Sequence, residues 1–213
     1  MVKIIDTNEL EVTKLNNKVK FTIKKNKFSF FYNKIKDILG KKTNQFTINA
    51  KNIVGLNNFL KSNTLNYNQA HVLFETLFTQ IKDLESNKSS IGFLELSDIY
   101  FIDVNESEFY FVMLNSDKIV SLENDEFEIK SPVKKDDLFF SPEQKKLKSF
   151  PFKLSKKSVY YSMALITLFS LKKFKTKQLI LENHEETIIG TPLYWALERC
   201  LIKDIENRTL LYI

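Results

Sequence analysis

The chain has 213 residues, of which 43% are apolar and 13% aromatic, and a formal net charge of +6. That apolar content is enough to bury a core, which excludes a wholly disordered chain, and the length fits one domain or two small lobes. A single cysteine, Cys200, excludes an internal disulfide framework and a multi-cysteine zinc site, so a reducing, intracellular setting is expected.

The segment from Met1 to Glu11 carries Asp6, Glu9 and Glu11 and no long apolar run, which is not the pattern of a signal peptide. In Lys18 to Lys24, Val19, Phe21 and Ile23 alternate with polar residues. In the next run, after the polar stretch Lys24-Lys25-Asn26-Lys27, Phe28, Phe30 and Tyr32 alternate with Ser29 and Phe31. Period two on both sides of a polar turn predicts a β-hairpin. Lys34 to Leu39 reads as a short helix ending at Gly40, and Gln45 to Ile48 as a further strand.

From Leu56 onward the apolar spacing becomes helical. Ala70, Leu73, Phe74, Leu77, Phe78, Ile81 and Leu84 form one stripe and predict a long helix over Asn66 to Glu85. Two strands follow, Ile99 to Val104 and Phe109 to Leu114, joined by the polar turn Asn105-Glu106-Ser107-Glu108. Glu123 to Val133 reads as irregular and charged. Val159 to Leu171 is the longest apolar stretch and falls short of the ~18 to 20 residues of a spanning helix, so a buried helix and no membrane association are expected. Thr191 and Pro192 suit a helix cap and first helical position, and the last helix runs through Trp195, Leu197 and Leu201. Separate blocks of strands and helices predict an α+β fold.

That element order is also the order of a protein kinase, and three segments are similar to the family at the level of residues. Cys200-Leu201-Ile202-Lys203-Asp204-Ile205-Glu206-Asn207-Arg208 resembles Cys-Leu-x-Lys-Asp-Pro-x-x-Arg-Pro near the end of the large lobe, with Ile205 and Thr209 in place of the prolines. Phe139-Phe140-Ser141-Pro142-Glu143 resembles the Ala-Pro-Glu that closes an activation segment. Val159-Tyr160-Tyr161-Ser162-Met163-Ala164 is similar to the Asp-Val-Trp-Ser-Leu-Gly of the central buried helix, with Val159 in place of the aspartate. The resemblance covers roughly Leu56 to Arg208. It implies a reduced, β-rich, basic N-terminal lobe over residues 1–55 and a kinase-like C-terminal lobe over residues 56–213. It also implies a structural ion pair between Glu143 and Arg208.

The residues that carry phosphoryl transfer are missing from the matched positions. Gly40, Gly55, Gly92 and Gly190 are isolated, so no glycine-rich loop can cover phosphates. Phe93-Leu94-Glu95-Leu96-Ser97-Asp98-Ile99-Tyr100 stands against His-Arg-Asp-Leu-Lys-x-x-Asn, which puts Glu95 at the base and Tyr100 at the metal-binding asparagine. Leu114-Asn115-Ser116 stands at Asp-Phe-Gly, with no carboxylate for magnesium. Lys24 or Lys25 matches the phosphate-binding lysine, but Tyr32 to Lys42 offers only Asp37 as an acidic partner. A nucleophilic Cys200 with His71 or His184 is disfavoured, because Cys200 sits in an apolar helical stripe. His184-Glu185-Glu186 reads as a polar loop. The catalytic, cofactor and metal sites are therefore expected to be empty of function.

The resemblance then implies a pseudokinase that scaffolds or regulates a protein partner, for example an active kinase. It is similar to the compact kinase relatives of large cytoplasmic DNA viruses, which implies a host cytoplasmic location. Two other readings remain at this level. Lys14 to Lys42 is rich in lysine and interleaved with Phe21, Phe28, Phe30, Phe31 and Tyr32, the ingredients of weak nucleic-acid binding by charge and stacking. An atypical active kinase would use Glu95 or Asp98 as its base. Against the first stands the absence of arginine from that segment; lysines on edge strands also serve to block strand pairing.

Overall fold

A computed structural model of the chain describes residues 1–24, 28–130, 138–147, 149–172 and 188–212. The fold is α+β, with a β-rich N-terminal part and helices later in the chain. It divides into two compact units. The first combines Met1–Ser62 with Leu96–Ser116, and the second combines Asn63–Glu95 with Asp117–Ile213. A boundary after residue 55 does not coincide with this division, because the strands following Leu96 pair with the N-terminal segment.

In the first unit, β1 (Val2–Asp6), β2 (Leu10–Leu15), β3 (Lys18–Ile23) and β4 (Gln45–Asn49) form an antiparallel sheet in that order. The alternation in β3 turns Val19, Phe21 and Ile23 inward and leaves Lys18 and Lys20 exposed. Opposite them in register, Ile48 and Phe46 face inward and Asn49 and Thr47 outward. Phe21 stacks on Phe46 at 4.9 Å between ring centres. Asn16, at the β2–β3 turn, has φ of 53°, the left-handed geometry that asparagine tolerates.

The expected strand over Phe28 to Tyr32 is a helix. Helix α1 spans Ser29–Ile38 and buries Phe31, Tyr32 and Ile35, with Leu39 buried just beyond it. That three-and-four spacing competes with the alternation of Phe28, Phe30 and Tyr32 and fills the core better than a further strand. The connection through residues 25–27, including the expected turn, lies outside the described residues. A second sheet joins β5 (Asn52–Gly55) to β7 (Ile99–Asp103) and β8 (Phe109–Met113), with short helix α2 (Leu56–Phe59) beside it. Both strands of the β7–β8 hairpin lie where the sequence predicts them. Its turn is held by Asn105 Oδ1, which accepts from the backbone N–H groups of Ser107 and Glu108.

The second unit is built on helix α3 (Tyr67–Ser86). Asn66 and Gln69 cap its start reciprocally, and Ala70, Leu73, Phe74, Leu77, Ile81 and Leu84 form its buried stripe. It packs on α5 (Lys157–Lys172), which is apolar on nearly every side and buried accordingly. Strand β6 (Ser89–Ile91) pairs with β9 (Ile119–Ser121). The stretch expected to be irregular contains β10 (Glu126–Ile129), paired with β11 (Phe152–Ser155). Phe127 and Ile129 of β10 face a small core with Leu147 and Leu154. Four residues flanked by charges give a weak strand signal, and the pairing partner is distant in sequence. Residues 131–133 lie outside the described residues. Helices α4 (Pro142–Lys145) and α6 (Pro192–Cys200) complete the described part of the unit. Among the described residues, no helix is long and apolar enough to cross a membrane.

Cys200 ends α6 with no exposed surface, its Sγ 3.6 Å from the carbonyl of Thr209. Burial pushes its pKa up to about 12. The thiol should therefore resist a thiol-specific reagent at neutral pH, and its labelling rate should rise with denaturant alongside global unfolding. Fast labelling of the native protein would contradict this placement.

Candidate functional site

The most highly organised polar centre of the second unit surrounds Arg208, which is fully buried. After α6 the chain turns back through a loop held by Asp204. Its side chain accepts from the backbone N–H of Glu206 and from Asn207 Nδ2. This aims the Arg208 guanidinium at α4. Nη1 donates to Glu143 Oε1 at 2.5 Å and Nη2 to Oε2 at 3.3 Å. Nε donates to the carbonyl of Ile202, Nη1 also to that of Lys157, and Nη2 also to that of Lys203. All five N–H donors of the fork thus have an acceptor. The Tyr161 ring lies 4.9 Å below the guanidinium carbon. The structure therefore brings together Glu143 and Arg208, which are 65 positions apart.

Burial pushes the Glu143 carboxyl up, but the hydrogen bonds and charge of Arg208 outweigh it and hold the group below the ordinary value of 4.5. The neighbouring residue extends the network. Ser141 and Gln144 cap α4 reciprocally. Gln144 Nε2 donates to the carbonyl of Gly92 at 3.1 Å, and its Oε1 accepts from Ser162. Phe140 packs on Phe93 with ring centres 5.0 Å apart. The short segment from Phe139 to Gln144 thus joins the Gly92 turn to α5 and to the loop after α6.

The positions matched to the kinase catalytic segment follow directly. Leu94 is buried, and Glu95 forms an ion pair with Lys118 at 2.8 Å. Phe93, Glu95, Lys118, Val120 and Ile129 line an open cleft of about 620 Å³. In the first unit, Asp98 is buried and its carboxylate accepts from Asn115 Nδ2 at 2.9 Å. Its carbonyl accepts from the backbone N–H of Leu114. Ser116 donates to Glu9 at 2.6 Å, and the Tyr32 hydroxyl lies within hydrogen-bonding distance of both. Tyr100 is partly buried, and burial, followed by the charge of Asp98, raises its pKa. Lys24 donates to the carbonyl of Thr7 at 2.7 Å and lies 3.6 Å from Asp6. Asp37 sits on α1, where its carbonyl accepts from Gly40. Lys25 and His184-Glu185-Glu186 lie outside the described residues.

His71 is packed between the rings of Tyr67 and Tyr212. Among the described residues, no three His, Cys, Asp or Glu side chains are placed to hold a metal ion. The aromatic array of the basic segment splits: Phe21, Phe31 and Tyr32 are core residues, while Phe28 and Phe30 remain half-buried. Gln144 is a site residue that the sequence does not single out, and Ser116 and Tyr32, expected at a vacant metal segment and among stacking rings, instead meet each other and Glu9. For Gln144 a signal existed, since Ser-Pro-Glu-Gln is a capping-box pattern. Tyr32 and Ser116 are 84 positions apart and carry no such signal. In comparison with known proteins, the chain matches no family model and no curated protein.

Replacing Glu143 with Gln should destabilise the protein at neutral pH by about 3 to 5 kcal/mol, because the buried guanidinium loses its counter-charge. The sign of the pH effect follows from the lowered folded-state pKa. The contribution is complete above 4.5 and is lost as pH falls through the lower folded value. Urea denaturation of both proteins between neutral pH and pH 3 should show two stability curves converging in acid. A constant gap across that range would show that the carboxylate charge is not what Arg208 requires.

Proposed function

We propose that this chain is a kinase-like protein that has lost phosphoryl transfer and acts by binding a protein partner as a scaffold or regulator. The observation that carries the reading is the contact between Glu143 and Arg208. The sequence resemblance requires that pair, and no local constraint would create it across 65 positions. The surrounding order supports the same reading: a long helix, a short strand paired across a hairpin, a capped Ser-Pro-Glu turn, an apolar helix, and a return loop ending in arginine.

The chemistry at the matched positions favours loss of catalysis. Phosphoryl transfer needs carboxylates directed at magnesium and a base directed at the attacking hydroxyl. Here Leu114 is buried at the metal position, Glu95 is neutralised by Lys118, and Asp98 is held by Asn115. The active-kinase alternative would require Glu95 or Asp98 to break these contacts.

Two measurements test the proposal. Millimolar ATP with magnesium should leave the melting temperature unchanged, whereas binding at 100 times Kd would add about 2.7 kcal/mol. A clear magnesium-dependent shift would restore the active-kinase reading. Separately, the tagged chain, cross-linked in its native cells, should migrate as a stoichiometric complex with another protein. Migration as a free chain would remove the scaffold role.

A further inference from the structure

The outer face of the first sheet carries lysines with a shared feature. Lys18 and Lys20 project from β3 opposite Asn49 and Thr47 of β4. Beside them an open cleft of about 590 Å³ is walled by Asn17, Lys41, Thr47, Asn49, Lys51 and Asn105. A second, smaller hollow shares Asn17 and Asn49 with it and reaches Lys18. Sharing these two residues, the two hollows adjoin and together make up the trough. Among the described residues, Lys18, Lys20, Lys41 and Lys51 form no ion pair. One carboxylate, Glu108, stands in the wall. It is turned onto Tyr110, whose hydroxyl donates to it at 2.6 Å, and onto Asn105 Nδ2.

We propose that this trough binds the phosphodiester backbone of single-stranded nucleic acid, an activity separate from the protein-binding role assigned above. Ammonium groups without a protein counter-charge are suited to neutralising phosphates, and the asparagine amides can donate to phosphate oxygens or sugar hydroxyls. The concave shape suits a flexible strand; a bilayer presents a flat plane. Phe21, Phe31 and Tyr32 are buried, so they form no stacking platform. Recognition should therefore be tolerant of sequence and dominated by charge.

The test is fluorescence anisotropy of labelled oligo(U) and oligo(dT) with the full chain. Four phosphate contacts on a single strand give a log–log salt slope of about −2.8, or roughly a 50-fold loss of affinity between 50 and 200 mM salt. Changing Lys18, Lys20, Lys41 and Lys51 to Gln should weaken binding at least tenfold. A control with Lys145→Glu and Lys146→Glu makes the same change in net charge on the second unit and should leave affinity within twofold. Unchanged melting of each variant shows that it still folds; if the quadruple variant melts early, Lys41→Gln with Lys51→Gln takes its place and should still lose several-fold. The proposal is overturned if neither oligonucleotide binds at 50 mM salt, or if trough and control variants weaken binding equally. It is also overturned if only inorganic tripolyphosphate or phosphatidylserine vesicles bind.

Discussion

A guanidinium with no exposed surface must find an acceptor for every N–H, and this requirement organises the second unit around Arg208. Moving such a charge out of water costs several kcal/mol, and the cost is offset only when geometry and hydrogen bonding are complete. Here the acceptors come from three separate stretches: Glu143 on α4, the first residue of α5, and the loop holding Ile202 and Lys203. None of these can shift without stranding a donor. Helix α4 has only four residues and would not persist alone. Its position is fixed by Glu143 on one side and by Gln144, bonded to Gly92 and Ser162, on the other.

In the first unit the polar groups near the end of β8 are engaged with one another. Glu9 accepts from Ser116 beside the Tyr32 hydroxyl, and Asp98 accepts from Asn115. Carboxylates in such closed arrangements hold shape, since their lone pairs are already directed at protein donors. Tyr32 comes from α1 and Ser116 from the end of β8, so the same contacts fix the helix against the hairpin.

The parts of the fold most legible in the sequence are those with long, regular periods. The stripe from Ala70 to Leu84 specifies α3, the all-round apolar run specifies α5, and Thr191-Pro192 marks the start of α6. The β7–β8 hairpin is equally plain, because alternation flanks an asparagine turn. Legibility fails where two periods coexist: Phe28, Phe30 and Tyr32 alternate as a strand would, while Phe31, Tyr32, Ile35 and Leu39 follow a helix. It also fails for short strands such as β10 and β11, whose pairing is decided by a distant partner. The Glu143–Arg208 contact could be expected from a residue-level resemblance, whereas the Tyr32–Ser116–Glu9 contacts depend wholly on three-dimensional packing.

The interleaving of the two units bears on how the chain matures. A ribosome releases residues in order, at roughly 5 to 20 per second. Met1–Ser62 would therefore leave the exit tunnel well before Leu96–Ser116, the remainder of its own unit. During that interval β5 lacks its partner, since among the described residues its one neighbour in the sheet is β7. The nascent chain thus carries an open strand edge containing Ile53 and Val54, beside Leu56, all awaiting residues still inside the tunnel. Synthesis speed and chaperone access through that window become part of what determines the yield of folded protein.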